Sequence, residues 1–185
     1  MRAVAERSAF DVSRLAGLPA PVARYLAFAL SPRQRIIARA HLRSSGTFAA
    51  KPNAWARFTA DQEVRTEPPE FVWNARVAMM PLVPVRVRDR YVGGEGSMRA
   101  AVAGLVPIVN QHGTPELVAA SLQRFLAEAA WYPTALLPGG ALSWSAIHDR
   151  SARVTLSDGP RRSRSMSRSG PRARSKPSRR CGTAT

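Results

Sequence analysis

Apolar residues recur at two different periods along this chain, and each change of period marks a new element. From Leu18 to Leu30 the spacing is helical. Val22, Tyr25, Leu26 and Ala29 share one side, Pro19 or Pro21 falls in the first turn where a missing N–H costs little, and Ser31-Pro32 ends the run. The period then becomes two. Over 36–48, Ile36, Ala38, Ala40 and Leu42 alternate with Ile37, Arg39, His41 and Arg43, with a bulge predicted at Gly46. Past the turn residues 51–54, a strand from Phe58 to Thr66 places Phe58, Ala60, Gln62 and Val64 on one face. The next reads Phe71, Trp73, Ala75, Val77 and Met79 against Val72, Asn74, Arg76 and Ala78. Another sets Val85, Val87, Asp89 and Tyr91 against Arg86, Arg88 and Arg90, before a Gly93-Gly94 hairpin turn and a mostly apolar run from Met98 to Val109. Strands joined this closely predict an antiparallel meander with one wet face.

A single well-marked helix interrupts the strands. Thr114 supplies a capping hydroxyl, Pro115 suits the first position, and Glu116 complements the helix dipole. Val118, Leu122, Phe125 and Ala129 then form an apolar stripe, and the helix is expected to end near Trp131-Tyr132-Pro133. Two further strands, Leu142–His148 and Ala152–Ser157, flank a turn at Asp149-Arg150. The fold class is therefore α+β: a curved antiparallel sheet with an N-terminal helix and one longer helix packed on it. In element order this is similar to the half-barrels of bacterial lipoprotein carriers, a likeness of outline that carries no function.

Charge changes the picture at one place. The net charge is +16, yet nine of the 28 basic residues and none of the 12 acidic ones lie beyond Pro160. The preceding part carries 19 basic against 12 acidic groups, or +7. Three segments are predicted: a flexible stretch over 1–17, a single domain over 18–158, and a disordered Arg/Ser-rich tail over 159–185. The lone Cys181 rules out an internal disulfide. The N-terminal stretch is broken by Arg2, Glu6, Arg7, Asp11 and Arg14, unlike a signal peptide, and no run of ~18 apolar residues could span a bilayer. The expected location is the cytoplasm.

Three stretches, EPPEFVWNARV (67–77), VRDRYVGGEGSM (87–98) and RFLAEAAWYPTALLP (124–138), together resemble a family of bacterial domains to which no activity is attached. The resemblance covers roughly 18–158. In that family the chain continues with an alternating apolar strand, a Gly turn and another strand, where this one turns basic. The departure implies a domain lacking its last strands and suggests that the tail is an out-of-frame reading of GC-rich DNA. Ser165-Met166-Ser167, read as TCG-ATG-TCG, conceals GAT-GTC, or Asp-Val. The competing reading is a genuine basic arm that binds nucleic acid through phosphates.

Candidate chemistry is sparse. Alternation puts Asp89 on the covered face with Tyr91, where an unpaired carboxylate would cost several kcal/mol. It is either a structural ion pair or a ligand anchor. Arg124 and Glu128, four apart, form either a surface pair or, with Asp89, a buried polar cluster beneath Trp131. Trp73, Trp131, Trp144, Tyr132 and Phe125 read most simply as core, and as the walls of an apolar site if the sheet is concave. His41, His112 and His148 fit no metal spacing, and there is neither a G-x-S-x-G elbow nor a phosphate loop. No cofactor is expected. The leading expectation is non-catalytic binding of an apolar or amphipathic small molecule between sheet and helix, at Asp89, Tyr91, Arg124, Glu128, Trp131 and Trp73. An enzyme built on the Asp/Glu/Arg cluster is the alternative, and the oligomeric state is not determined by these patterns.

Overall fold

The computed structural model describes residues 9–51, 54–80, 83–158 and 163–169. Six strands, β1 (Arg39–Lys51), β2 (Ala54–Arg65), β3 (Glu70–Met80), β4 (Val83–Val92), β5 (Glu95–Val102) and β6 (Val106–His112), form an antiparallel sheet in sequence order. The sheet is not closed. A second sheet holds β7 (Leu142–His148), β8 (Ser151–Ser157) and β9 (Ser163–Ser169). Helices α1 (Ala20–Ala29) and α2 (Pro115–Glu128) complete an α+β domain.

Register turns the alternation into layers. On the inner face Val64, Phe71, Tyr91 and Gly96 stand side by side across β2–β5, and Gln62, Trp73, Asp89 and Met98 form the next row. The row beyond is Ala60, Ala75, Val87 and Ala100, mostly small side chains that let the sheet curl. The main core gathers Val64, Phe71 and Tyr91 with Leu26 of α1, Leu122 and Phe125 of α2, and Val154 and Leu156 of β8. Ala60, Ala75, Val77, Val85 and Ala100 form a second cluster within the curl itself.

Local chemistry sets the element ends. Gly93 and Gly94, at φ 61° and 82°, close β4 onto β5 in a two-residue turn that requires positive φ at both positions. The Thr114 hydroxyl accepts a hydrogen bond from the Leu117 amide at 3.2 Å and starts α2. That helix lies close on β5: a Cβ at Gly96 would come within 3.1 Å of the Ser121 hydroxyl and 3.2 Å of Leu117. Glycine at 96 sets the helix–sheet distance.

Several expectations are corrected. The apolar run from Met98 to Val109 is two strands, split by a turn at Ala103–Leu105 whose positive φ values carry no hydrophobic signature. Gly46 is not a bulge. It pairs with Phe58, leaving room for that ring, and the irregularity falls at Ala49/Lys51. On α1 only Val22 and Leu26 are buried, while Tyr25 faces outward. Helix α2 stops at Glu128 and a 3-10 turn carries on to Trp131.

At the N-terminus, residues 9–17 are tied down although flexibility was expected over 1–17. Phe10 is buried, and its backbone exchanges hydrogen bonds with Gln34 and Arg33. Residues 1–8 lie outside the described residues. So does most of the 159–185 tail, except Ser163–Ser169, whose backbone pairs with β8.

Candidate functional site

Helix α2 meets the sheet through charge where the inner face carries Gln62 and Asp89. Asp89 sits between Trp73 and Met98 in its row, and the guanidinium of Arg124 donates to its Oδ2 from Nη1 at 2.6 Å. The Nε of the same guanidinium donates to Glu128 Oε1 at 2.8 Å, one helical turn further on. The second Glu128 oxygen accepts from Gln62 Nε2 at 2.5 Å. Arg124 is thus shared by two carboxylates, one from the sheet and one from its own helix. Its guanidinium also lies 5.0 Å from the Phe71 ring centre and 4.9 Å from that of Trp73, so the cation rests on aromatic faces.

Burial decides how much this matters. The side chains of Arg124, Asp89 and Glu128 keep only 25%, 17% and 17% of their surface exposed. Surface ion pairs are worth ~0–1 kcal/mol, whereas charge-assisted hydrogen bonds removed from bulk water contribute roughly 1.5–3 kcal/mol each. Leaving Asp89 unpaired on an apolar face would cost several kcal/mol. The cluster therefore acts as a polar clamp between layers, with its strongest donors and acceptors turned on one another.

The remaining residues of the expected site are dispersed. Trp73 belongs to the cluster. Tyr91 is fully buried, and its hydroxyl donates to the carboxylate of Asp158 at the end of β8, joining the two sheets. Trp131 is 63% exposed, beyond the end of α2. The apolar stripe of α2 continues through Ala129 to Tyr132, which is buried, and leaves the indole outside the core. The Tyr132 hydroxyl donates to the Phe125 carbonyl at 3.2 Å, and the Trp144 indole donates to the Leu136 carbonyl at 2.9 Å. Burial raises the Tyr132 pKa far above its ordinary value. The negative charge of Glu128 adds to the rise, and Arg124 works against it.

Sequence reasoning passed over two groups. Gln62 is a buried amide whose signal was visible, a polar residue in an otherwise apolar alternation. Asp158 had none, since only the packing of β8 brings it to Tyr91. Among the described residues, no cluster of three His, Cys, Asp or Glu side chains could hold a metal.

A cleft of about 440 Å³, lined by none of the clamp residues, opens where the β2–β3 turn, the segment after α2 and the end of β8 converge. Ile36, Phe125, Leu137, Leu142 and Leu156 line its walls, and Arg14, Glu67 and Asp158 stand among its polar groups. Arg14 is held by the Pro138 carbonyl at 3.3 Å.

An open antiparallel sheet with a helix clamped to one end and a small second sheet behind it defines an α+β domain. The model of a family described as "Family of unknown function (DUF6920)" matches residues 16–168, from before α1 into β9, and the chain belongs to that family. No curated protein matches the chain, and no solved structure does. No helix among the described residues is long and apolar enough to cross a membrane.

Two outcomes test the clamp. Arg124→Ala strands two half-buried carboxylates and is expected to cost roughly 3 kcal/mol in urea unfolding, with Arg124→Lys recovering only part because one ammonium cannot reproduce the fork. Tyr132 tests the pH dependence. An acid whose pKa is higher folded than unfolded supports the fold below its unfolded value near 10, and that support is lost as pH rises through the folded value. Wild-type stability should therefore fall above about pH 10. Tyr132→Phe should remove that component while costing about 0.5–1.5 kcal/mol at neutral pH.

Proposed function

We propose that this domain is a non-catalytic module that binds an apolar or amphipathic small molecule in the cleft between sheet, helix and second sheet. One observation carries the reading: Ile36, Phe125, Leu137, Leu142 and Leu156 wall the cleft, while Arg14 and Asp158 at its border are engaged by the Pro138 carbonyl and the Tyr91 hydroxyl. Catalysis by Asp89, Glu128 and Arg124 would need a carboxylate oxygen aimed at a substrate. Arg124 draws on both acids, and Gln62 takes the second oxygen of Glu128. A cleft of this size with polar groups at its edge suits a ligand with one polar end.

Displacement of an environment-sensitive dye from the purified chain by a series of fatty acids and long-chain alcohols tests this directly. Ala135→Trp, which fills the cleft from its wall, is expected to weaken binding at least tenfold with an unchanged melting temperature. Equal affinity for the filled variant would refute the assignment.

The resemblance at the motif level supports a second reading, of the tail. The buried β8 positions Ala152, Val154 and Leu156 stand opposite Arg168, Met166 and Arg164 in the register. A strand covering an apolar row is expected to be apolar itself. Out-of-frame translation of the last strands accounts for this composition, and a functional basic arm does not. The coding DNA should carry one inserted or deleted base near codon 160; an intact frame continuing into homologous genes would overturn it.

A further inference from the structure

The end of the sheet remote from α2 carries a second pattern, on the outer face. Four arginines of β3, β4 and β5 form a block there. Arg76 is directly opposite Arg86, and Arg88 is directly opposite Arg99. Like charges in facing cross-strand positions are destabilising, so the fold bears two adjacent repulsive pairs. All four side chains are exposed, and none makes a hydrogen bond or ion pair among the described residues. Asp61, a carboxylate lining the same concavity, is already engaged by Arg43 at 3.2 Å and His41 at 3.5 Å. The arginines line a concavity of about 710 Å³, against which the Ala103–Leu105 turn folds so closely that a Cβ at Gly104 would lie 3.0 Å from the Arg86 side chain.

Beyond the arginines, the hairpin ends on this side of the sheet, at the start of β2 and between β5 and β6, expose apolar side chains. Leu105 is 81% exposed and Trp55 70%, with Val106 and Ile108 beside Leu105 on the edge strand. A lone exposed apolar residue needs no explanation, but a group at the strand ends beside an unneutralised cationic block does. Arg86 and Arg99 each lie three residues from the end of their strand, roughly 10 Å behind the tip. The polar layer of a bilayer leaflet is roughly 5–8 Å deep. Tips entering that layer would bring the guanidinium groups level with the lipid phosphates.

We propose that this end of the sheet docks onto an anionic phospholipid surface, with Leu105, Val106 and Trp55 entering the interface and Arg76, Arg86, Arg88 and Arg99 meeting the phosphates. Charge complementarity identifies the partner, and the apolar tips separate a membrane from the other polyanions. A nucleic-acid backbone or a free phosphate would satisfy the arginines but gives Leu105 and Val106 no role. A second copy of the chain would bring like charges together.

The test is co-sedimentation of the full chain with vesicles of phosphatidylcholine alone and of phosphatidylcholine mixed with phosphatidylglycerol. Binding is expected only to the mixed vesicles. Each surface arginine contributes about fivefold to partitioning, so Arg86→Gln/Arg88→Gln should weaken it roughly 25-fold at about 0.1 M salt. Leu105→Ser/Val106→Ser should weaken it at low and high salt alike. The basic tail is present in every variant and sets a common floor. All four substitutions are at exposed positions and should leave the melting temperature unchanged. A blue shift of tryptophan emission on adding vesicles, lost in Trp55→Phe, reports insertion independently. Three results would each overturn the proposal: both double variants within twofold of wild type, equal binding to phosphatidylcholine alone, or a DNA duplex whose binding needs Arg86 and Arg88 while vesicle binding does not.

Discussion

The guanidinium of Arg124 holds the architecture together at its weakest joint. An open curved sheet has one apolar face to cover, and α2 can cover only one end of it. At the border of that cover the sheet presents Asp89, which could be satisfied neither by the apolar core behind it nor fully by water. Arg124 reaches it from the helix, turns its other edge to Glu128 and lays its plane against Phe71 and Trp73. Four constraints meet in one side chain: helix position, helix rotation, sheet curvature and the burial of two acids. Gly96 fixes the same distance from below by admitting α2 close to β5.

This arrangement divides the sheet by charge. At the helix-covered end Arg124, Asp89 and Glu128 neutralise one another. The remote end leaves its arginines unspent on the outer face and exposes apolar tips. Polar groups that neutralise one another build structure, while polar groups set side by side with the same sign call for an external partner. The net charge of the chain says little about either end, because so much of it belongs to the tail.

Much of the fold was legible in the chain. The period-two runs located most of the strands, Gly93-Gly94 located a hairpin, and Thr114-Pro115-Glu116 located the start of α2, because each rests on local geometry. The β5–β6 turn was not legible, since Ala103 takes a positive φ that its side chain disfavours and only the surrounding sheet imposes. For the site, alternation put Asp89, Tyr91 and Trp73 on the inner face, and helical spacing paired Arg124 with Glu128. Helical spacing carries the stripe of Phe125 and Ala129 on to Tyr132, whose burial was therefore legible, whereas the exposure of Trp131 depends on what packs around the turn.

The faces of the strands, the start of the long helix and the presence of a carboxylate on an apolar face can be read directly from the order of residues. These follow from periods of two and 3.6 residues, which any short window contains. Only the tertiary structure decided that one arginine serves both acids, that Asp158 reaches Tyr91 and that four arginines stand in facing pairs. Those outcomes depend on strand register and on contacts between residues dozens of positions apart. Register is set by the summed packing of the whole sheet, and no local window holds that sum.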